Sequence, residues 1–588
     1  LITTGKGKGS LTMPDIRWIS AALLATTALI PGVAGAQAQA APASAPAPAP
    51  AVESYADLIF TGGKVVTVDS ADRITDSVAV RGNRIVAVGD VAEWRGPQTR
   101  IIDLKGRTLL PGFIDAHSHV AGMANVEANH INIQVPPLRD ANAIIDTLRA
   151  AAKTKPAGAW LIGQGTYNQV MPTRAQLDAA FPDNPVRLDW SAHDTIINHR
   201  AAVILGMGKD FPDPPAGSPG RYERTRDGEV AIIRDAPVTW PKSEFTYAQM
   251  KEGVRAVLDD FYLKKGVTTV SDLSPPQAYR AMMELRNEGR LPTRVRMNYL
   301  ARSVTMAEQF LESGVFTGLG DDMLRVGALK MFMDGVWGTT AATYQPAWKG
   351  SGTTWVPNNL GGTSMDQPTI NKIILTARER GWQVQIHANG DRAQDMVLDA
   401  FENANRLSPK PDSRDRIEHF GHFLKLDPAR TEKRLERLSE LGVIPSPQIA
   451  FLWRLTDVNI KEPGVKFFPL RDLIDRGLQP PGGVDTVGTQ NFATNPMFSI
   501  QRAVHRDTKF GRIVQKDQAI SVMEAIKMFT IWSARANFME KSLGSIEVGK
   551  LADLVVLEQD PLTTPSAKLS TIPVAMTVVD GKVAYERP

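Results

Sequence analysis

Leu109-Leu110-Pro111-Gly112-Phe113-Ile114-Asp115-Ala116-His117-Ser118-His119-Val120 carries an apolar run into a pair of histidines just past a Pro-Gly turn signal. The run reads as a buried strand. Residues i and i+2 of a strand point to the same face, so His117 and His119 present two imidazoles side by side, a geometry that suits a transition metal. Alone, the pair is equally a polar strand end. What separates the readings is the rest of the chain.

Seven further apolar runs follow, at Gly266–Asp272, Arg294–Leu300, Val326–Phe332, Gln383–Ala388, Arg416–Phe420, Val443–Gln448 and Gly482–Asp485. Helical patterns lie between them, among them Tyr247–Lys265, Ala278–Glu288, Ile370–Gly381 and Arg430–Gly442. Eight strand-helix alternations predict an α/β fold, a closed (β/α)8 TIM-like barrel over residues 110–540, with reactive groups at the strands' C-terminal ends. An open doubly wound sheet is the alternative, but no early Gly-x-Gly-x-x-Gly recommends it. Roughly 150 residues separate the first two strands, and Trp160–Gly165 and Val186–His193 look like strands within them. An insertion at about 125–245 is therefore expected over the barrel mouth, and Trp337–Gly362 reads as a further long loop. Residues 55–109 and 541–588 share a texture of short β-branched runs and turns, which predicts a small β-sandwich domain built from both chain ends.

The N-terminal region does not read as part of the fold. Residues 1–12 precede the first methionine and are set aside as upstream sequence. Residues 13–38 combine Arg17, an apolar stretch from Trp18 to Ile30 and small-residue sites at Ala34-Gly35-Ala36 and Ala36-Gln37-Ala38, the pattern of a secretory signal. Residues 39–54 are an Ala/Pro-rich linker. The expectation is a periplasmic or secreted bacterial protein with no stable membrane association once the signal is cleaved. With 67 basic and 63 acidic residues and no cysteine in 588 residues, the chain has no charge bias toward nucleic acid, and neither thiolate metal sites nor a thiol nucleophile. A small-molecule substrate is the expected partner, and a homo-oligomer is compatible with the sequence.

On the predicted strands the ionisable residues gather. His117 and His119 end the first, Lys330 lies in the fourth, His387 and His419 end the fifth and sixth, and Asp485 ends the eighth. Four imidazoles and a carboxylate suit Zn2+, and also Mn2+, Fe2+, Co2+ or Ni2+. Lys330, within Val-Gly-Ala-Leu-Lys-Met-Phe-Met, is expensive to bury charged. Burial favours its neutral amine, which reacts with CO2 to a carbamate that can bridge two metals. A snorkelling lysine at a strand end is the other reading.

The run Pro111–His119 resembles the opening metal motif of the amidohydrolase superfamily. Gly327–Gly335, His387–Ala393 and Arg416–His419 resemble its amidohydrolase-3 branch, which includes N-substituted formamide deformylases, and Leu543–Leu557 matches the superfamily's return into its β domain. The resemblance implies two divalent ions: His117 and His119 on the more buried one, Lys330 as carboxylated bridge, His387 and His419 on the second, and Asp485 as ligand and proton shuttle. Asp415 and Asp391 are the alternative acids. The implied reaction is hydrolysis of a non-peptide C–N bond (amide, N-formyl or N-acyl) by hydroxide generated on the metal, with Asp485 passing the proton to the leaving nitrogen. Ester, lactone or carbamate hydrolysis on the same site is one alternative, and a catalytically inactive binding protein another. His193, in Asp189-Trp190-Ser191-Ala192-His193-Asp194, resembles a branch segment that approaches the active site, to bind substrate or a developing oxyanion. His422, His130, His199 and His505 read as structural, Trp337, Tyr167 and Trp453 as pocket or packing aromatics, and Asp391 with Arg392 as an ion pair.

Overall fold

Seven strands run parallel and lie side by side in chain order: β1 (Phe113–Ser118), β2 (Val267–Ser274), β3 (Arg294–Leu300), β4 (Leu324–Phe332), β5 (Val384–His387), β6 (Arg416–Glu418) and β7 (Ile444–Ser446). The computed structural model describes residues 55–588 apart from 167–168, 191–192, 242–244, 337–339, 347–358, 423, 426, 456–459, 461–463 and 487–489 and the side chain of Lys425. The signal-like segment, the Ala/Pro-rich linker, Tyr167, Trp337 and much of the expected 337–362 loop lie outside the described residues.

The strands are buried on both faces because helices cover the sheet, which is why they read as near-continuous apolar runs. The helices Pro276–Asn287, Val304–Glu312, Gln367–Glu379, Asp391–Leu407 and Pro428–Leu441 each connect one strand to the next. Their starts follow local chemistry: Ser303, Asp366 and Asp427 accept from the backbone N–H groups of Met306, Thr369 and Ala429. Pro428 fills the first position of its helix, and Gly442, at φ 66°, ends it. The result is a mixed α/β fold around a curled parallel sheet.

The eighth expected strand, Gly482–Asp485, is an extended segment rather than a regular ladder. It lies against β1, where Ala116 N–H donates to the Gly482 carbonyl at 2.8 Å and Asp485 N–H donates to the His117 carbonyl at 2.9 Å. A Cβ on Gly483 would sit 2.7 Å from the His117 Cβ, so this approach requires glycine. The segment thereby delivers Asp485 beside the histidine pair.

Between β1 and β2, strands from Ile131–Asn132 to Val230–Arg234 form a separate six-stranded sheet. The chain ends supply two more. One has four strands within residues 58–103; the other joins Thr108–Pro111 antiparallel to Leu554–Leu557. Phe60 and Val80 of the first share a core with Leu109, Val556 and Val578 of the second. Among the described residues no helix is long and apolar enough to cross a membrane.

Candidate metal centre

A cavity of about 930 Å³ opens at the C-terminal ends of the parallel strands, and its wall includes His117, His119, His193, Lys330, His387, His419 and Asp485. Ring centroids of His117 and His119 lie 5.6 Å apart, those of His117 and His419 5.1 Å, and those of His387 and His419 4.4 Å. One potential ligand atom from each of His117, His419 and Asp485 falls within 4.8 Å of the other two. His419 and Asp485 hold left-handed backbone, at φ 63° and 51°, a strain that accumulates at functional sites.

Whether these side chains suit a metal can be read from their own hydrogen bonds. His117 Nδ1 donates to Glu418 Oε2 at 2.6 Å, which leaves Nε2 free, 3.5 Å from Asp485 Oδ1. His119 Nδ1 donates to the Leu273 carbonyl at 3.0 Å, and its Nε2 lies 3.3 Å from the same Asp485 oxygen. His387 Nε2 bonds the Gly335 carbonyl at 3.2 Å, while its Nδ1 is buried with no hydrogen-bond partner among the described residues. Each ring is thus fixed by one nitrogen and keeps the other available to a metal, the usual arrangement of metal-binding imidazoles. Burial pushes His117, His387 and His419 below the usual histidine range, toward the neutral form that a metal needs. The donor set, all nitrogen and oxygen, fits a divalent transition ion.

Lys330 is fully buried in β4, and its Nζ has no hydrogen-bond partner among the described residues. Burial lowers its pKa to about 8, against the pull of Glu418 and Asp485. Burial raises the Asp485 pKa, but the neighbouring His117, His119 and Lys330 outweigh it and hold the carboxylate ionised well below the usual range.

Sequence reading missed three acids here. Glu418 is buried, lies 2.8 Å from Arg416 Nε and accepts from Gln448 Nε2 at 3.0 Å besides holding His117. Asp235, from the inserted sheet, accepts from His193 Nδ1 at 2.6 Å and is also bonded by the Thr340 hydroxyl. Asp334 accepts the backbone N–H groups of Asn389, Gly390 and Ala342 at 2.7–2.9 Å and so shapes the turn after His387. An acid inside a buried strand, as in Arg416-Ile417-Glu418, was the one available signal, because a buried carboxylate demands a partner.

The inserted sheet brings His193 to the cavity, its ring 5.6 Å from that of His387. The alternative acids are engaged elsewhere. Asp415 pairs with Arg378 at 2.7 Å and accepts from Val384 N–H, at the opposite ends of the strands. Asp391 does not pair with the Arg392 guanidinium as expected; its carboxylate accepts the backbone N–H groups of Tyr344 and Arg392, a role set by its place at the start of a helix. His422 packs 4.9 Å from the His419 ring and lines the cavity, as does His130. His199 pairs with Glu229, and His505 bonds Ser566.

Residues 100–585 match the amidohydrolase family profile. The chain belongs to the amidohydrolase family. This amidohydrolase is 29% identical over 570 residues to the N-substituted formamide deformylase of Arthrobacter pascens, covering 90% of this chain and 98% of that one. It is 28% identical over 555 residues to the Arabidopsis thaliana protein LONG AFTER FAR-RED 3, with 90% and 92% covered. Among solved structures, a metal-dependent hydrolase from Pyrococcus furiosus, itself uncharacterized, superposes with a TM-score of 0.61 at 24% identity, covering 86% of this chain and 100% of that chain, a likeness of fold. The family and the donor set together make this chain a hydrolase with a centre suited to metal.

Proposed function

We propose that this amidohydrolase cleaves a carbon–nitrogen bond other than a peptide bond, in an amide, N-formyl or N-acyl group of a small molecule, at a centre of two divalent ions. Zn2+ is the ion that best suits the donors. His117 and His119 would hold one ion and His387 and His419 the other, with a CO2-derived carbamate on Lys330 as bridge and Asp485 as a further ligand. Such ions, when bound, would supply polarisation of a carbonyl and acidification of water. The chain's residues do the rest. Asp485, within reach of both His117 and His119, takes a proton from the attacking water and returns it to the leaving nitrogen. His193, steered by Asp235, faces the substrate carbonyl. Glu418 and the Leu273 carbonyl keep the first two rings in one tautomer.

The observation that carries the reading is the buried Lys330 Nζ, which has no hydrogen-bond partner among the described residues and whose charge acts on His117, His387, His419 and Asp485 alike. The formamide deformylase relative supports an N-formyl or N-acyl group. The proposal extends to the architecture: Gly482–Asp485 closes the curled sheet as an eighth barrel stave, and the two terminal sheets pack as a β-sandwich. The test is amine release from a panel of N-substituted formamides and N-acyl amines beside matched esters and lactones. Amine release supports the assignment; hydrolysis confined to the esters and lactones overturns it.

A further inference from the structure

The cavity wall holds more charge than the proposed chemistry uses, and all but one of the remaining charged groups are engaged. Asp189 pairs with Arg187 at 2.9 Å, and Arg187 also stacks on Trp240 at 3.9 Å. Asp235 holds His193. Asp334 is saturated by backbone N–H groups. Arg454 stands over the Trp453 ring at 6.0 Å. Arg302 also lines the cavity, and among the described residues it has no hydrogen bond, ion pair or ring contact.

Its position is set by the sheet. Leu300 of β3 is in register with Lys330 of β4, and Ala301 N–H donates to the Lys330 carbonyl at 2.9 Å. Arg302 is therefore the first residue past the ladder on the strand beside the proposed bridge, at the end of the sheet where the cavity opens. Its side chain is open to solvent through the cavity. Protein packed around it holds the guanidinium below the usual arginine range, and no acidic group offsets that burial. An arginine stays charged at any working pH, and its planar fork matches a carboxylate. Phe332, Phe451, Val238 and Trp240 supply apolar wall in the same cavity.

We propose that Arg302 forms an anion subsite in this cavity and that the substrates are N-formyl or N-acyl compounds bearing a carboxylate and an apolar side group. The inference deepens the proposed function and rests on it for the scissile bond, though the anion subsite itself does not.

The experiment has two arms. In the first, formate release is measured from N-formylphenylalanine and from its neutral carboxamide, with wild type, Arg302→Gln and Arg302→Lys. A charge-assisted pair predicts a kcat/KM advantage of about ten- to hundredfold for the acid in wild type. That advantage collapses in Arg302→Gln and is partly kept in Arg302→Lys. Equal turnover of acid and carboxamide by wild type, or an advantage unchanged in Arg302→Gln, overturns the proposal. The second arm is calorimetric titration with benzenesulfonate, beside the neutral methyl phenyl sulfone. Binding of the anion by wild type and not by Arg302→Gln supports the subsite even if no formamide is hydrolysed, in which case only the reaction assignment fails. Equal binding by both proteins overturns the subsite.

Discussion

Replacing Glu418 with Gln removes one charge from the floor of the centre with little change of volume. The carboxylate is fully buried and fixes His117 Nδ1 at 2.6 Å, so its loss frees the ring to rotate or switch tautomer. Outer partners of metal-binding histidines are worth roughly ten- to hundredfold in metal affinity, or about 1.4–2.8 kcal/mol. A second effect comes from Arg416, itself fully buried, which loses the anion 2.8 Å from its Nε. Breaking a buried ion pair costs about 3–5 kcal/mol, and the remaining Gln oxygen keeps the expected loss near the lower end. Burial raises the Glu418 pKa, but Arg416 and His117 prevail and hold it well below the usual carboxylate range. A depressed acid stabilises the fold above its unfolded pKa and loses that stabilisation as pH falls through the folded one. The stability deficit of Glu418→Gln should accordingly persist across the neutral range. Metal affinity is measured by competition with a chromophoric chelator, and stability by urea unfolding of the metal-free protein. Unchanged affinity together with unchanged stability would refute the reasoning.

Four further outcomes follow from the same geometry. Lys330→Ala should lose metal and most activity, with partial rescue by short carboxylic acids; full metal occupancy in that variant would sink the bridging carbamate. Because burial lowers the Lys330 pKa to about 8, the neutral amine prevails above that pH, so the carbamate carbon signal from labelled bicarbonate should grow between pH 7 and pH 9; no signal at pH 9 contradicts this. Asp485→Asn should keep the fold and abolish turnover, and an unimpaired rate would move the proton shuttle elsewhere. Asp235→Asn should lower kcat with little change in metal content, since it frees the His193 ring and touches no proposed ligand; loss of metal instead would tie Asp235 to the centre.

The parallel sheet was legible because its strands are buried on both faces and so stand out as apolar runs between amphipathic helices. The histidines were legible for a related reason: Phe113–His119 and Gln383–His387 each end an apolar strand in a group that cannot be left unsatisfied there. Gly482–Asp485 read as a strand by composition, yet it forms no regular ladder with β1, because the close approach at Gly483 sets its place beside the His117 and Ala116 backbone. Glu418 was missed since its partner His117 lies 301 positions away, a distance no local pattern spans. Asp235 was hidden in the same way, just past the last strand of a sheet inserted between β1 and β2 whose position over the cavity depends on tertiary packing. Arg302 gave no signal at all. An arginine past a strand end is ordinary until the structure shows that none of the described residues pairs with it.

The account turns on whether the histidines, Lys330 and Asp485 hold metal together. Elemental analysis of the protein, purified without chelator and then incubated with divalent metal and bicarbonate, tests this directly. The account predicts about two ions per chain. A metal content at background after that incubation would contradict it.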